Sequence, residues 1–474
     1  AVLSFSWAPD GKSLAFLAAD PESEERKEAK EAGRDWKVYG QDERPRRLWR
    51  TDVASGEVSQ VTTDTSSVWD FDWFPGGDRL AVTVSNRPDV DSSYIHKRLS
   101  VVAAEGGVPR TLWDGRGKMD APKVSPDGRY VGINAAVSAN DPAAGSLFVI
   151  DARTGRAVNR TEGSLLTVTW VGWSGPEELV FVAHEGTVSL LAATPALEGE
   201  PRRLAIGPPI FSRASLSADG STAAFAASTA RHPGEVFVLA GGHGELRQLT
   251  DSNPGLAGAD LGKQEVYRWT TSDGWTVEGI LISPVGAGTP GGPKPPYPLI
   301  NMVHGGPESC WHDGWNTSYS RWGQVLAGRG YAVLMANYRG STGRGVAFAK
   351  ADHQDLAGRE FRDILEGIDA LVAEGTVDPA RVGMGGGSYG GYFSAWAATR
   401  HSERFAATVV FAGITNWLSF TGTSDIPEEN SVVHWDLNPY ERSGLAWDRS
   451  PIAHVAKADT PVLIAHGEKD RRVP

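Results

Sequence analysis

The sequence predicts a chain in two parts: an incomplete β-propeller with about five readable blades, then an α/β domain on a mostly parallel sheet truncated at its C-terminus. Three observations predict this. A turn followed by a short apolar strand recurs through residues 1–250. From about Gln264 apolar strands alternate with helical patterns. A serine set among glycines lies where one such strand gives way to a helix.

The repeat begins as Trp7-Ala8-Pro9-Asp10-Gly11 before the apolar residues 13–17, and returns as Trp73-Phe74-Pro75-Gly76-Gly77 before 80–84. It continues as Val124-Ser125-Pro126-Asp127-Gly128 before 130–133. Weaker copies are Trp173-Ser174-Gly175-Pro176 and Leu216-Ser217-Ala218-Asp219-Gly220. Proline presets φ and glycine tolerates positive φ, so Pro-Asp-Gly makes a tight turn. A second hairpin follows in each unit, with turns at Ser55-Gly56, Thr154-Gly155 and Gly241-Gly242. Two hairpins repeating every ~45 residues read as four-stranded propeller blades rather than as a β-sandwich. The first blade reads as incomplete. Residues 20–34, dense in Glu and Lys, read as a solvated helix or loop inserted into it.

The second part is expected over 263–474, after a propeller over 1–262. Strands are expected at 266–270, 276–282, 299–303, 331–336, 381–384, 405–411 and 461–465. Phe361, Ile364, Leu365, Ile368, Leu371 and Val372 have helical spacing, and a helix is expected over 391–399. Strands alternating with helices imply a parallel sheet covered on both faces.

Bulk composition narrows the function. At 474 residues the chain exceeds one ordinary core. A formal net charge of -12 argues against a nucleic-acid surface, which needs a basic stripe. The single cysteine, Cys310, excludes an internal disulfide framework and reads as a small apolar filler. No apolar run approaches the ~18 residues of a membrane span. No metal or other cofactor is expected. His96, His184, His232, His243, His312, His353, His401, His434 and His454 show no metal-ligand spacing and read as structural or solvated.

The most specific motif is Gly386-Gly387-Ser388-Tyr389-Gly390-Gly391. A serine on so sharp a strand-to-helix turn needs neighbours without side chains, and the turn aims the Tyr389 N–H at a developing oxyanion. His304-Gly305-Gly306-Pro307 follows an apolar strand, where the second oxyanion donor of such folds arises. Asp470 follows a late strand downstream of the serine, in the order Ser…Asp…His of α/β-hydrolases. Asp425, Glu428 and Glu429 are rival carboxylates in a stretch that reads as irregular.

These motifs, with Asn337-Tyr338-Arg339-Gly340-Ser341-Thr342-Gly343, Asp378-Pro379, Arg381-Val382 and Ser450-Pro451, resemble the acylaminoacyl-peptidase-like branch of the prolyl oligopeptidase family. The resemblance implies a seven-bladed propeller restricting an α/β-hydrolase site to short peptides. It implies Ser388 as nucleophile forming an acyl-enzyme, with Tyr389 and Gly306 as oxyanion donors and Asp470 as the triad acid. It also implies that Arg472 contacts a substrate backbone carbonyl; its plainer reading is a surface charge. Short or N-terminally blocked peptides are then the expected substrates and partners. Neither nucleic acid nor membrane is expected as a partner, a homo-oligomer is left open, and the expected location is cytoplasmic.

The sequence departs from the family pattern at one point. The family's histidine lies some tens of residues past the aspartate, yet no histidine follows Asp470 before Pro474. His466 and His304 do not fit its position, so the chain is expected to be truncated at both ends. Two other functions stay open: an esterase or amidase on small acyl substrates, and a non-catalytic propeller-hydrolase module. Glu428 and Glu429 could also serve an exopeptidase by holding a free amino terminus. Residues 1–474 alone should label at Ser388 with a fluorophosphonate far more slowly than a chain extended through a histidine, because triad members act as a unit. Comparable rates would mean that another residue serves as base.

Overall fold

A computed structural model describes all residues except 37, 39, 41, 241–245 and 319. Five four-stranded antiparallel sheets follow one another as propeller blades, and a seven-stranded mixed sheet follows them. The turn expected at Gly241-Gly242, and His243, lie outside the described residues.

The blades stack because their strands are apolar on both faces with period two. On the strand Arg79–Ser85, Leu80, Val82 and Val84 pack against Ala15, Leu17 and Leu48 of the first blade. Ala81, facing the other way, packs with Val131 and Ile133 of the third. The strand Glu178–Glu185 repeats this, with Leu179 and Phe181 toward the third blade and Val180 and Val182 toward the fifth. The four Gly-ended turns share one geometry: the N–H groups of Gly11, Gly77, Gly128 and Gly220 each donate to the carbonyl three residues earlier.

The first blade corrects the expectation that it is incomplete. It has four strands, Val2–Trp7, Ser13–Ala19, Arg46–Asp52 and Val58–Gln60. The insertion between its second and third strands stretches the spacing on which the repeat was read. That insertion carries the helix Glu24–Glu31, none of whose residues is buried.

In the second part the strands run in the order Gln264–Thr270, Thr276–Ile282, Ala332–Asn337, Tyr297–Val303, Val377–Gly387, Ala407–Phe411, Val462–Ala465. The first two pairings are antiparallel and the remaining four parallel. The helix Arg359–Ala373 buries Phe361, Ile364, Ile368 and Leu371 on one side, while Tyr389–Arg400 is buried nearly all round. At the edge strand Val462–Ala465, Leu463 and Ile464 are exposed. Among the described residues no helix is long and apolar enough to cross a membrane.

One buried ion cluster ties the loop after Ala332–Asn337 to the sheet's helical cover. Arg339 Nε donates to both oxygens of Asp363, at 3.0 and 2.9 Å, and its Nη1 donates to Asp273 at 2.5 Å. Both Arg339 and Asp363 are almost wholly buried. Removing one partner strands a buried charge, which costs about 3–5 kcal/mol. Urea denaturation at neutral pH should show a loss of that size in R339M, much of it recovered in R339M/D363L. A loss below about 1 kcal/mol would mean the cluster does not hold the loop.

Candidate active site

The strand Val377–Gly387 runs into the helix Tyr389–Arg400 with Ser388 alone between them, at φ 58° and ψ -120°. Positive φ strains a residue with a side chain, and two close approaches force it here. A Cβ on Gly386 would stand 2.4 Å from Val303 O, and one on Gly390 would stand 2.2 Å from the same oxygen. Ser388 N–H donates to Phe411 O at 3.0 Å, pinning the turn to the neighbouring strand. Tyr389 opens the helix, so its N–H has no intrahelical acceptor. Its buried hydroxyl donates to Glu360 Oε1 at 3.0 Å. Glu360 also accepts from Gly358 N–H at 3.1 Å and from Ala357 N–H. Burial outweighs these contacts and pushes its carboxyl up to about 8.

The loop after Tyr297–Val303 lies flush against this elbow. A Cβ on Gly305 would be 3.1 Å from Gly387 O and 3.2 Å from Ser388 Cβ. Gly306 follows at φ 118°. His304 is used up in holding the loop. Its Nδ1–H donates to Gly305 O at 2.8 Å, and its Nε2 accepts from Ser341 Oγ–H at 2.9 Å. Tyr338 Oη–H donates to His304 O at 2.9 Å, and burial lowers the imidazole to about 4. A neutral imidazole with both nitrogens engaged is no base for Ser388.

Asp470 lies in the turn after Val462–Ala465. Its Oδ1 accepts the N–H groups of Arg472 at 3.0 Å and Val473 at 2.9 Å. His466 Nε2 donates to Val473 O at 2.5 Å and stays 3.8 Å from Asp470 Oδ2, closing the same turn. Arg472 points the other way: Nε donates to Asp425 Oδ1 at 2.6 Å and Nη1 to Tyr94 Oη at 3.0 Å. Of the rival carboxylates, Asp425 is thus the counterion of Arg472. Glu428 pairs with Arg87 and His96, at 2.9 and 2.5 Å. The stretch holding them is partly helical, over Pro427–Glu429 and Asn430–His434.

A cavity of about 660 Å³ opens over Ser388 between the two parts of the chain. Gly306, Ser388, Tyr389 and Arg472 line it from the sheet side, Trp69 and Tyr94 from the propeller, and Trp417 and Phe420 supply an apolar wall. Asp470 is not in its lining, although Arg472 and Val473 are. Among the described residues no side chain hydrogen-bonds Ser388 Oγ. Cys310 lies apart, its thiol pushed up by burial and donating to Gly186 O at 3.4 Å.

Sequence reasoning missed one cluster in this cavity. Lys118 Nζ, from the propeller, stands 2.7 Å from both Glu308 Oε1 and Glu429 Oε1. His434 Nε2 is 2.8 Å from Glu429 Oε2, and its Nδ1 is 3.4 Å from Glu308 Oε2. The ligand atoms of Glu308, Glu429 and His434 lie within 4.8 Å of one another, as a metal site would need, but an ammonium already lies between the carboxylates. No spacing in the sequence links residues 118, 308 and 434.

Ser388, between a sheet strand and a helix and facing a cavity shared with the propeller, has the backbone geometry of a nucleophile elbow. Residues 317–474 match the profile described as the Prolyl oligopeptidase family. The chain is 37% identical over 244 residues to the uncharacterized peptidase YuxL of Bacillus subtilis, a match covering 51% of this chain and 36% of that protein. It is 26% identical over 439 residues to dipeptidyl-peptidase 5 of Porphyromonas gingivalis, covering 89% of this chain and 62% of that one. Among solved structures, the acylaminoacyl peptidase of Pyrococcus horikoshii shares the fold at a TM-score of 0.80 and 24% identity, covering all of this chain and 73% of that one. The chain therefore spans less than two thirds of these two curated relatives.

The environment of Glu360 gives a measurable signature. Its folded-state pKa, near 8, lies above the ordinary 4.5, so the folded protein binds this proton more tightly than the unfolded chain. The associated stability is full below 4.5 and drains as pH rises to about 8, by up to about 1.4 kcal/mol per pH unit. E360Q cannot titrate, so its stability relative to the parent should rise across that window in urea denaturation. A difference independent of pH would refute the raised pKa.

Proposed function

We propose a serine peptidase that hydrolyses short or N-terminally blocked peptides through an acyl-enzyme at Ser388. A propeller over 1–262 walls the site, and residues 263–474 carry the chemistry. The observation that carries this reading is the serine at positive φ between strand and helix, opening on a cavity beside two glycine-bounded backbone segments. Ser388 Oγ attacks the peptide carbonyl, and the N–H groups of Tyr389 and Gly306 receive the oxyanion. Asp470 orients a histidine. Its Oδ1 is taken by two backbone amides, which leaves Oδ2 for an imidazole. That histidine is assigned to no position of residues 1–474. Arg472, held by Asp425 and Tyr94 at the rim of the cavity, donates to a backbone carbonyl of the substrate.

In the whole protein, S388A should abolish both fluorophosphonate labelling and hydrolysis of acetylated short-peptide anilides. R472A should lower turnover of those peptides about 10- to 150-fold, the worth of one hydrogen bond to a charged group. It should spare a small acetyl ester that has no second carbonyl. Equal losses on both substrates would make Arg472 structural, and a whole protein that cleaves only the ester would replace peptidase with esterase.

A further inference from the structure

We propose that Lys118 sets the substrate class of the cavity, excluding peptides with a free amino terminus and favouring those whose amino end is acylated. This rests on the reading of the cavity as a peptide site. Two buried carboxylates beside a nucleophile would ordinarily make a receptor for an ammonium group, because a desolvated acid pair needs cations. Here the position is filled from within. Lys118 reaches 2.7 Å from Glu308 and from Glu429, and both carboxylates share the Ser388 cavity.

The remaining charge is matched as well. Burial would depress His434, but Glu429 and Glu308 outweigh it and hold its pKa above the ordinary 6.5. Burial would raise the two carboxyls, and Lys118 and His434 together hold both below the usual carboxylate range. Two carboxylates thus face one ammonium and an imidazole biased toward its charged form. Elsewhere in the lining Arg472 is paired with Asp425, while Asp70 interacts at longer range with Arg46 and Lys97, and Asp120 with Lys97. At Glu308 and Glu429 a substrate ammonium would find its place taken and would stand beside the Lys118 charge. An acylated amino end is neutral and meets the apolar wall of Ile414, Trp417 and Phe420.

The test is calorimetric binding of alanyl-phenylalanine amide and its N-acetyl derivative, read without turnover. The unaltered protein should bind the acetylated ligand at least tenfold tighter. K118M, which frees the acid pair, should lose or reverse that preference, and K118R should keep it. Should K118M fail to fold, E429Q takes its place: it removes one negative charge and leaves Lys118, so the preference should widen. Equal or tighter binding of the free amine by the unaltered protein overturns the proposal. So does binding of neither ligand, or a preference that K118M or, in its place, E429Q leaves unchanged. A protein that shows the predicted binding but cleaves neither ligand refutes the peptidase reading alone.

Discussion

At Ser388 three stretches of backbone meet at van der Waals distance, and the rest of the site is arranged around that contact. Gly386 and Gly390 press on Val303 O, Gly391 on Phe411 O, and Gly305 on Gly387 O. The strained φ at Ser388, worth about 1–3 kcal/mol, persists because parallel strands on both sides over-determine it. Val303 pairs with Gly386 and Phe411 with Gly387. Beneath the turn, Tyr389 packs on Phe393 and Trp417, and Tyr338 on His304. A Cβ on Gly386, Gly390 or Gly391 would meet backbone of a neighbouring segment closer than 3.0 Å.

The propeller adds the opposite wall and fixes where the loop parts of that site stand. Asp91 of the helix Val90–Ile95 accepts the N–H groups of Glu428 and Glu429, at 3.0 and 2.9 Å. Tyr94, on the same helix, accepts from Arg472. Lys118 holds Glu308, two residues past Gly306. Buried ion pairs offset much of their own desolvation cost, so they add little net stability. Breaking one strands its partner, however, and that asymmetry makes these contacts a register between the two halves.

Period-two and period-3.6 patterns made the blades and the sheet strands legible, because each strand and helix buries its face locally. The elbow was legible as a serine set among glycines between a strand and a helix, although the contacts that force those glycines come from Val303 and Phe411, far away in the chain. Boundaries moved where a neighbour extended an element. The strand expected at 381–384 runs Val377–Gly387 because it pairs along Tyr297–Val303, and the helix expected from 391 starts at Tyr389. The first blade looked incomplete because an exposed insertion separates its two hairpins. What stayed hidden depends on distant partners. Glu428 and Glu429 look alike in sequence, yet one is bound at a rim by Arg87 and the other buried against Lys118. His434 reads as one structural histidine among many until Glu308 is brought beside it.

Charge matching in the cavity bears on the chemistry itself. On the reading of Ser388 as nucleophile, attack on a neutral carbonyl passes the serine proton to the histidine, whose positive charge falls to Asp470. It leaves one new charge at the scissile carbonyl, the oxyanion. The cations lining the cavity are accompanied there by acids, Lys118 by Glu308 and Glu429 and Arg472 by Asp425. The new charge must therefore be met chiefly by backbone dipoles. Those of Tyr389 and Gly306 are fixed by the glycine contacts before substrate arrives, so they need no reorganisation. A ground-state carbonyl draws less from them than an oxyanion does, and only that difference accelerates the reaction. An unmatched cation near Ser388 would also have held any anionic ligand in its ground state. The balance of acids and bases around the cavity thus leaves the oxyanion position as the place where binding strengthens as the reaction proceeds.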